Sequence, residues 1–137
     1  RLSPNGDANG VIDSNPEALF VYVAQALERI GIAFIEMREA RLDGSFAPTE
    51  QPPVSPAIRA NYGGVLILNG DYTGQEANEA IASGKADAIA FGRPYISNPD
   101  FVERVRDGLP LADPLPPPTW YAQTDEGYTD YPRYQAA

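Results

Sequence analysis

Three short apolar runs alternate with segments of helical periodicity, and this alternation restricts the fold more than any other feature of the chain. The runs are Ile32-Ala33-Phe34-Ile35-Glu36-Met37, Val65-Leu66-Ile67-Leu68 and Asp87-Ala88-Ile89-Ala90-Phe91. Each has the length of a buried strand. Strands that are apolar throughout and alternate with helices predict an α/β fold, with a parallel sheet covered on both faces. Before the first run, apolar residues recur at helical spacing: Leu19, Phe20, Val23, Ala26, Leu27 and Ile30. Asn15 suits the cap of that helix, Pro16 its first position and Glu17 the positive end of its dipole, and Gly31 stops it. Residues 55–62 predict one or two helical turns halted by Gly63-Gly64. Thr73 caps a helix through Ser83 that Gly84 ends, and a last helix spans residues 99–107, ending at Gly108.

The order is therefore loop, helix, strand, helix, strand, helix, strand, helix, and then a Pro-rich and aromatic tail over residues 109–137. No fixed-period repeat accompanies it. A closed barrel needs eight strands and typically about 250 residues. An isolated three-stranded parallel sheet leaves both edges unpaired. Further strands are therefore expected from elsewhere. The chain begins at Arg1, without methionine, inside what reads as the mouth of a structural element, as a fragment, a processed chain or one piece of a split protein would.

Composition removes several function classes. With no histidine and no cysteine, the chain alone cannot assemble a Ser-His-Asp triad, a His-ligated metal, a thiolate metal site or a disulfide. A net charge of −9 makes nucleic acid and anionic membrane poor partners, and any phosphate site must be built locally. No apolar stretch approaches the roughly 20 residues that span a bilayer, and the first residues do not resemble a signal peptide. A soluble cytoplasmic protein is expected.

Two strand ends carry the residues best suited to bind an anion. In Leu68-Asn69-Gly70-Asp71-Tyr72-Thr73 a buried strand runs into a glycine just ahead of a helix, where backbone N–H groups can point at phosphate. Many strand-to-helix turns use such a glycine for geometry only. In Ala90-Phe91-Gly92-Arg93-Pro94 the next strand ends on a second glycine, beside an arginine able to make charge-assisted hydrogen bonds. Alone, that arginine reads as a surface residue. Together the two turns follow consecutive strands at one end of a parallel sheet, which is how barrel enzymes build a phosphate site after their last strands. Arg1 would face the same mouth, or else pair with Asp7 or Asp13. Glu36 and Glu39 flank the end of the first strand, where an acid/base residue could sit, but Arg38 or Arg41 offers each an ion-pair partner. Tail aromatics Tyr128, Tyr131 and Tyr134 read as staples that bury area, and Trp120 and Tyr121 as either staples or pocket lining.

Taken in order, these strings resemble one family. Arg1-Leu2-Ser3-Pro4, Asn69-Gly70-Asp71-Tyr72-Thr73, Phe91-Gly92-Arg93-Pro94-Tyr95-Ile96-Ser97-Asn98-Pro99-Asp100, Gly108-Leu109-Pro110-Leu111 and Gly127-Tyr128-Thr129-Asp130-Tyr131-Pro132 look like the C-terminal half of the Old Yellow Enzyme family of FMN-dependent ene-reductases. The resemblance covers essentially the whole chain. It implies the C-terminal part of a (β/α)8 TIM barrel, with residues 1–137 supplying the last three strands and the tail of one FMN-binding domain, incomplete as a barrel alone. It implies a flavoprotein oxidoreductase that reduces activated C=C bonds of α,β-unsaturated carbonyl or nitro compounds with NAD(P)H. In that family hydride passes from NAD(P)H to FMN and from flavin N5 to the β-carbon of the alkene, and a tyrosine protonates the α-carbon.

Residue by residue, Arg1 matches an arginine near flavin N1. Asn69, Gly70 and Asp71 match one part of the FMN phosphate site, and Phe91, Gly92 and Arg93 match the other. Trp120 takes an aromatic position near the dimethylbenzene edge, and Tyr121 a tyrosine position lining the substrate pocket. The departures are informative. The family's His-His or His-Asn substrate anchor is absent, and the proton-donating tyrosine and the partner of flavin O4 should lie earlier in the barrel. No catalytic residue is therefore expected in this chain, and the implied partner is the N-terminal half of the same barrel. Asp71 stands where many members carry a small or neutral residue, tolerable where only its backbone N–H is used. Two other readings remain open at this stage: a non-catalytic half-barrel assembly unit, and a barrel enzyme for another phosphorylated ligand.

Overall fold

A computed structural model describes residues 1–113, 116, 119–121, 123–126 and 129–135. The chain divides into two compact units, Arg1–Ala90 and Phe91–Ala137.

The first unit holds helix α1 (Pro16–Ile30), strand β1 (Phe34–Arg38), helix α2 (Ser55–Asn61), strand β2 (Val65–Asn69), helix α3 (Gly74–Ala82) and strand β3 (Ala88–Ile89). The expected caps are in place. Asn15 Oδ1 accepts from Ala18 N at 3.3 Å, and Gly31 takes the left-handed conformation, φ 79°, that ends α1. Thr73 and Glu76 form a reciprocal capping box on α3. The strands are parallel and lie in sequence order, β1-β2-β3, with Phe34 opposite Val65 and Arg38 opposite Asn69. Strand β3 is shorter than residues 87–91, but its ladder is not: Asp87 N donates to Leu66 O and Ala90 N to Leu68 O. Residues 1–10, read as a loop, contribute a further piece of sheet. Leu2 makes a parallel bridge to Met37 on the free side of β1, donating to Glu36 O and accepting from Arg38 N, both at 2.8 Å.

Alternation along the strands separates two faces. Ile35, Met37, Leu66 and Leu68 are buried and form one cluster with Ala24 of α1, Val54, Ile58 of α2 and Tyr62. Each large side chain buried there contributes roughly 1.5–3 kcal/mol relative to an exposed one. The other face carries Phe34, Glu36, Arg38, Val65, Ile67 and Asn69, and Phe34 and Val65 remain 50% and 46% exposed. Within this unit helices cover one face of the sheet, and on the other face two large apolar side chains at paired strand starts lie half open. The apolar stripe of α1 also shifts, with Phe20, Ala24 and Leu27 at the core while Leu19 and Ile30 are exposed.

The second unit holds helix α4 (Arg93–Ser97), helix α5 (Phe101–Asp107) and the tail. Helix α4 was not expected, since Gly92-Arg93-Pro94 reads as a turn. A proline in the first helical turn lacks only an N–H that would have no helical partner there. Among the described residues, no helix is long and apolar enough to cross a membrane.

Candidate functional site

In the first unit the sequence-predicted residues gather at the C-terminal ends of the strands. Arg1 donates to Asn69 Oδ1 at 2.6 Å and lies 3.5 Å from Glu36 Oε1. Asn69 in turn donates to Ala90 O at 2.7 Å. One chain of polar contacts thus crosses the half-open face from β1 to the residue after β3 and fixes a guanidinium, 54% exposed, at its centre. Arg1 pairs here rather than with Asp7 or Asp13, because the Leu2 bridge holds it beside β1. Glu36 takes Arg1 as its partner, not Arg38 or Arg41. Glu39 is buried and accepts from Val54 N and Ser55 N at 2.6 Å each, so its carboxylate caps α2.

Gly70 has a structural requirement of its own. Its φ is 151°, and a Cβ there would lie 2.3 Å from Glu39 O, a separation no side chain tolerates without backbone movement. Asp71 follows in the left-handed region, φ 52°, where Asp is among the residues that tolerate the conformation. The long irregular stretch 38–53 is tied onto this turn. Ser45 donates to Asp71 from both N, at 3.0 Å, and Oγ, at 2.7 Å. Arg41 reaches Glu76 at 3.2 Å and the Asp71 carbonyl at 3.5 Å. Hydrogen bonds from Thr73 N and from its hydroxyl, with help from Arg41, hold the Glu76 carboxyl below its ordinary range. Burial works against the Arg41 charge, but Glu76 and Asp43 outweigh it and keep the guanidinium's affinity for its proton raised. Neither Ser45 nor this Arg41 partnership is visible in the sequence, since loop residues carry no periodic signal and the partners lie 26 and 35 residues away.

In the second unit the Arg93 guanidinium lies 5.9 Å from the Trp120 ring centroid, so two of the expected cofactor residues meet. Phe91 packs its ring against Phe101 at 4.7 Å, which leaves its backbone as the part able to serve a ligand. Gly92 differs from Gly70. Its backbone is right-handed, φ −112° and ψ −78°, and a Cβ there would meet nothing within 4 Å. Packing among the described residues gives no reason for this glycine. An open glycine beside an arginine and an indole fits a bound phosphate that approaches the backbone closely, and on this observation the residues suit FMN. Trp120 also lines a recess of about 260 Å³ with Tyr95, Ile96, Pro99, Thr129 and Tyr131. Tyr121 is 81% exposed, with its side chain open to a substrate. Gly127 and Tyr128 lie outside the described residues.

Polar contacts among the described residues hold the tail, a signal missed in sequence. Asp100 and Arg104 form a buried pair at 2.7 Å, one helical turn apart. Asp100 also accepts from Tyr134 N at 2.8 Å, and Arg104 donates to Pro110 O and Pro132 O. Burial alone would raise the Asp100 carboxyl, but the hydrogen bonds from Tyr134 and Arg104 and the Arg104 charge hold it below its ordinary range. Tyr134 lies under Arg104 at 5.8 Å, a staple as expected. The spacing Asp-x-x-x-Arg was the available clue. Among the described residues, no group of three or more His, Cys, Asp or Glu side chains could hold a metal ion.

The sequence profile of the NADH:flavin oxidoreductase / NADH oxidase family matches residues 1–112. A putative 12-oxophytodienoate reductase 11 of Oryza sativa subsp. japonica is 37% identical over 132 residues, covering 96% of this chain and 36% of that protein. A probable flavin mononucleotide-dependent alkene reductase of Leishmania infantum is 36% identical over 132 residues, covering 96% and 34%. The solved structure of the old yellow enzyme homologue from Zymomonas mobilis superposes with a TM-score of 0.93 at 49% identity, covering 98% of this chain and 38% of that one. Morphinone reductase in complex with tetrahydroNAD gives a TM-score of 0.84 at 38% identity, covering 98% and 35%. The chain thus spans about a third of the length of the proteins it matches.

Proposed function

The chain belongs to the NADH:flavin oxidoreductase / NADH oxidase family, and from that premise we propose that its 137 residues form the C-terminal part of one FMN-binding (β/α)8 barrel. The barrel would reduce activated C=C bonds of α,β-unsaturated carbonyl or nitro compounds with NAD(P)H. The sheet order supports it. Parallel strands in sequence order with helices packed on one face are the winding of a barrel segment, and the similar solved structures, among them the old yellow enzyme homologue from Zymomonas mobilis, favour it over one half of a doubly wound sheet, which has the same local order. The half-open face with Phe34 and Val65 then lines the barrel interior, covered by strands of the remaining half.

The observation that carries the cofactor assignment is the open glycine at Gly92, flanked by Arg93 and Trp120. Bound FMN would supply the hydride-accepting and hydride-donating chemistry. The residues of this chain bind and orient it. Asn69, Gly70 and Asp71 offer backbone and amide groups to the phosphate, and so do Phe91 and Gly92. Arg93 neutralises its charge while its guanidinium packs on Trp120. Arg1, held by Asn69 and Glu36, would offer its positive charge to the flavin. Tyr121 lines the substrate pocket. Protonation chemistry belongs to residues outside this chain, and the half-barrel partner supplies them.

The test is ligand discrimination. Trp120 is the sole tryptophan of this chain, so the part of the fluorescence that Trp120→Phe removes reports this site within the assembled barrel. The barrel assembled from this chain and the remaining half should be yellow, and after flavin removal FMN should quench Trp120 while a simple sugar phosphate fails to compete. Colourless protein that takes up no FMN, or quenching relieved equally by the sugar phosphate, refutes the reading.

A further inference from the structure

Asp71 presents a difficulty for any phosphate site at this turn. Its carboxylate is one residue from Gly70, and like charges at close range repel with an energy that falls only as the inverse of distance. The structure holds a local answer. Both oxygens of the Asp71 carboxylate are engaged by one residue: Ser45 N donates to Oδ2 at 3.0 Å and Ser45 Oγ to Oδ1 at 2.7 Å. Ser45 is itself delivered by a tight turn, in which Gly44 N donates to Arg41 O at 3.1 Å. Gly44 is close-packed there, since a Cβ would lie 3.0 Å from Arg41 O and 3.1 Å from Asp71 Oδ2. Arg41 anchors the other end of the turn to Glu76 at 3.2 Å and reaches the Asp71 carbonyl at 3.5 Å. The segment 41–45 therefore grips Asp71 by side chain and carbonyl, and does so with the residue in its left-handed conformation.

We infer that Ser45 is a positioning residue for the flavin phosphate, holding the Asp71 carboxylate to the loop so that the turn offers its backbone N–H groups and not its charge. The inference rests on the FMN reading above. It explains how an acidic residue is carried beside an anion site in a chain of net charge −9. Two donors on the carboxylate spread its charge and fix its direction, and they also hold the backbone of Gly70 and Asp71 in one geometry.

The experiment compares FMN with riboflavin, which lacks the phosphate, by equilibrium titration of flavin fluorescence on the barrel assembled with its remaining half, in four forms of this chain: wild type, Ser45→Ala, Asp71→Asn and the double variant. Ser45→Ala should weaken FMN about tenfold, equivalent to about 1.4 kcal/mol, and leave riboflavin within about twofold. Asp71→Asn should bind FMN at least as well as wild type. The double variant should recover FMN binding to within about twofold of wild type. Equal loss of both flavins in Ser45→Ala, or no recovery on adding Asp71→Asn, overturns the inference and reduces Ser45 to loop packing. A wild type that binds FMN, with Ser45→Ala unchanged, overturns it while sparing the cofactor assignment. A wild type that binds neither flavin removes both.

Discussion

Alanine at Gly70 and alanine at Gly92 should have opposite consequences, and the contrast separates a glycine required by folding from one required by a ligand. At Gly70 the new Cβ would stand 2.3 Å from Glu39 O. Relief by moving Glu39 is opposed on two sides, since Glu39 N donates to Asn69 O at 2.9 Å and the Glu39 carboxylate caps α2. The φ of 151° adds a conformational cost of about 1–3 kcal/mol for a residue with a side chain. Overpacking adds about 1–3 kcal/mol more. The sum, about 2–6 kcal/mol, is a large share of the stability of an ordinary domain. At Gly92 the added methyl meets nothing and the backbone is right-handed, so the change should stay within about 0.5 kcal/mol. Urea unfolding of the flavin-free protein measures both. FMN titration should then find Gly92→Ala at least tenfold weaker, about 1.4 kcal/mol, since the methyl enters the space left for the phosphate. Wild-type stability in Gly70→Ala, or a loss in Gly92→Ala as large as that of Gly70→Ala, would refute this assignment of roles.

Two further outcomes test the anchors at either end of the chain. Asp100 has its folded-state pKa depressed, so its contribution is fully present above the ordinary carboxylate range near pH 4 and is lost as pH falls through the lower folded value. Asp100→Ala should strip the Tyr134 amide of its protection against hydrogen exchange at neutral pH, a loss that wild type shows only in acid when each rate is taken relative to intrinsic exchange at the same pH, and unchanged protection there would sink the idea that this pair holds the tail. Asn5 is buried and pairs its side-chain amide with Ala40, donating to O at 3.0 Å and accepting from N at 2.8 Å. Asn5→Ala leaves both backbone groups unsatisfied, which should cost about 1–3 kcal/mol in urea unfolding and expose the Ala40 amide to exchange.

The strands were legible because burial demands apolar residues at consecutive positions, and the three runs met no competing signal. Helix α1 was legible at its ends, where Asn15 and Gly31 have one physical use each, but its buried stripe was misplaced by a residue. A run of apolar side chains around most of the helix leaves the rotation to tertiary packing. Helix α4 was hidden by Pro94, which reads as a turn until its place in the first helical turn is known. The site split in the same way. Asn69, Gly70, Gly92 and Arg93 stand out because strand ends and glycines are rare local features with a stated chemistry. Ser45, Asn5 and the Asp100–Arg104 pair act on backbone groups far away in sequence, and only the folded chain says which.

The acidic balance of the chain looks hostile to a phosphate, yet every carboxylate at the ends of the first two strands is already engaged. Glu36 faces Arg1, Glu39 caps α2, Asp71 is held by Ser45, and Glu76 closes the Thr73 box and pairs with Arg41. The net charge of −9 acts at long range, where salt screens it beyond roughly 8–10 Å. It governs how fast an anion approaches more than how tightly it is held. Local affinity depends instead on the direction of N–H groups and guanidinium donors within hydrogen-bond reach. Donors that satisfy the acids at this turn therefore serve two purposes with the same bonds: they secure loop 38–53 to the sheet, and they leave the strand ends electrostatically fit for an anion. That is why Ser45→Ala is expected to be felt in the phosphate term and not in the flavin ring, and why removing the Asp71 charge should restore what the lost hydroxyl took away.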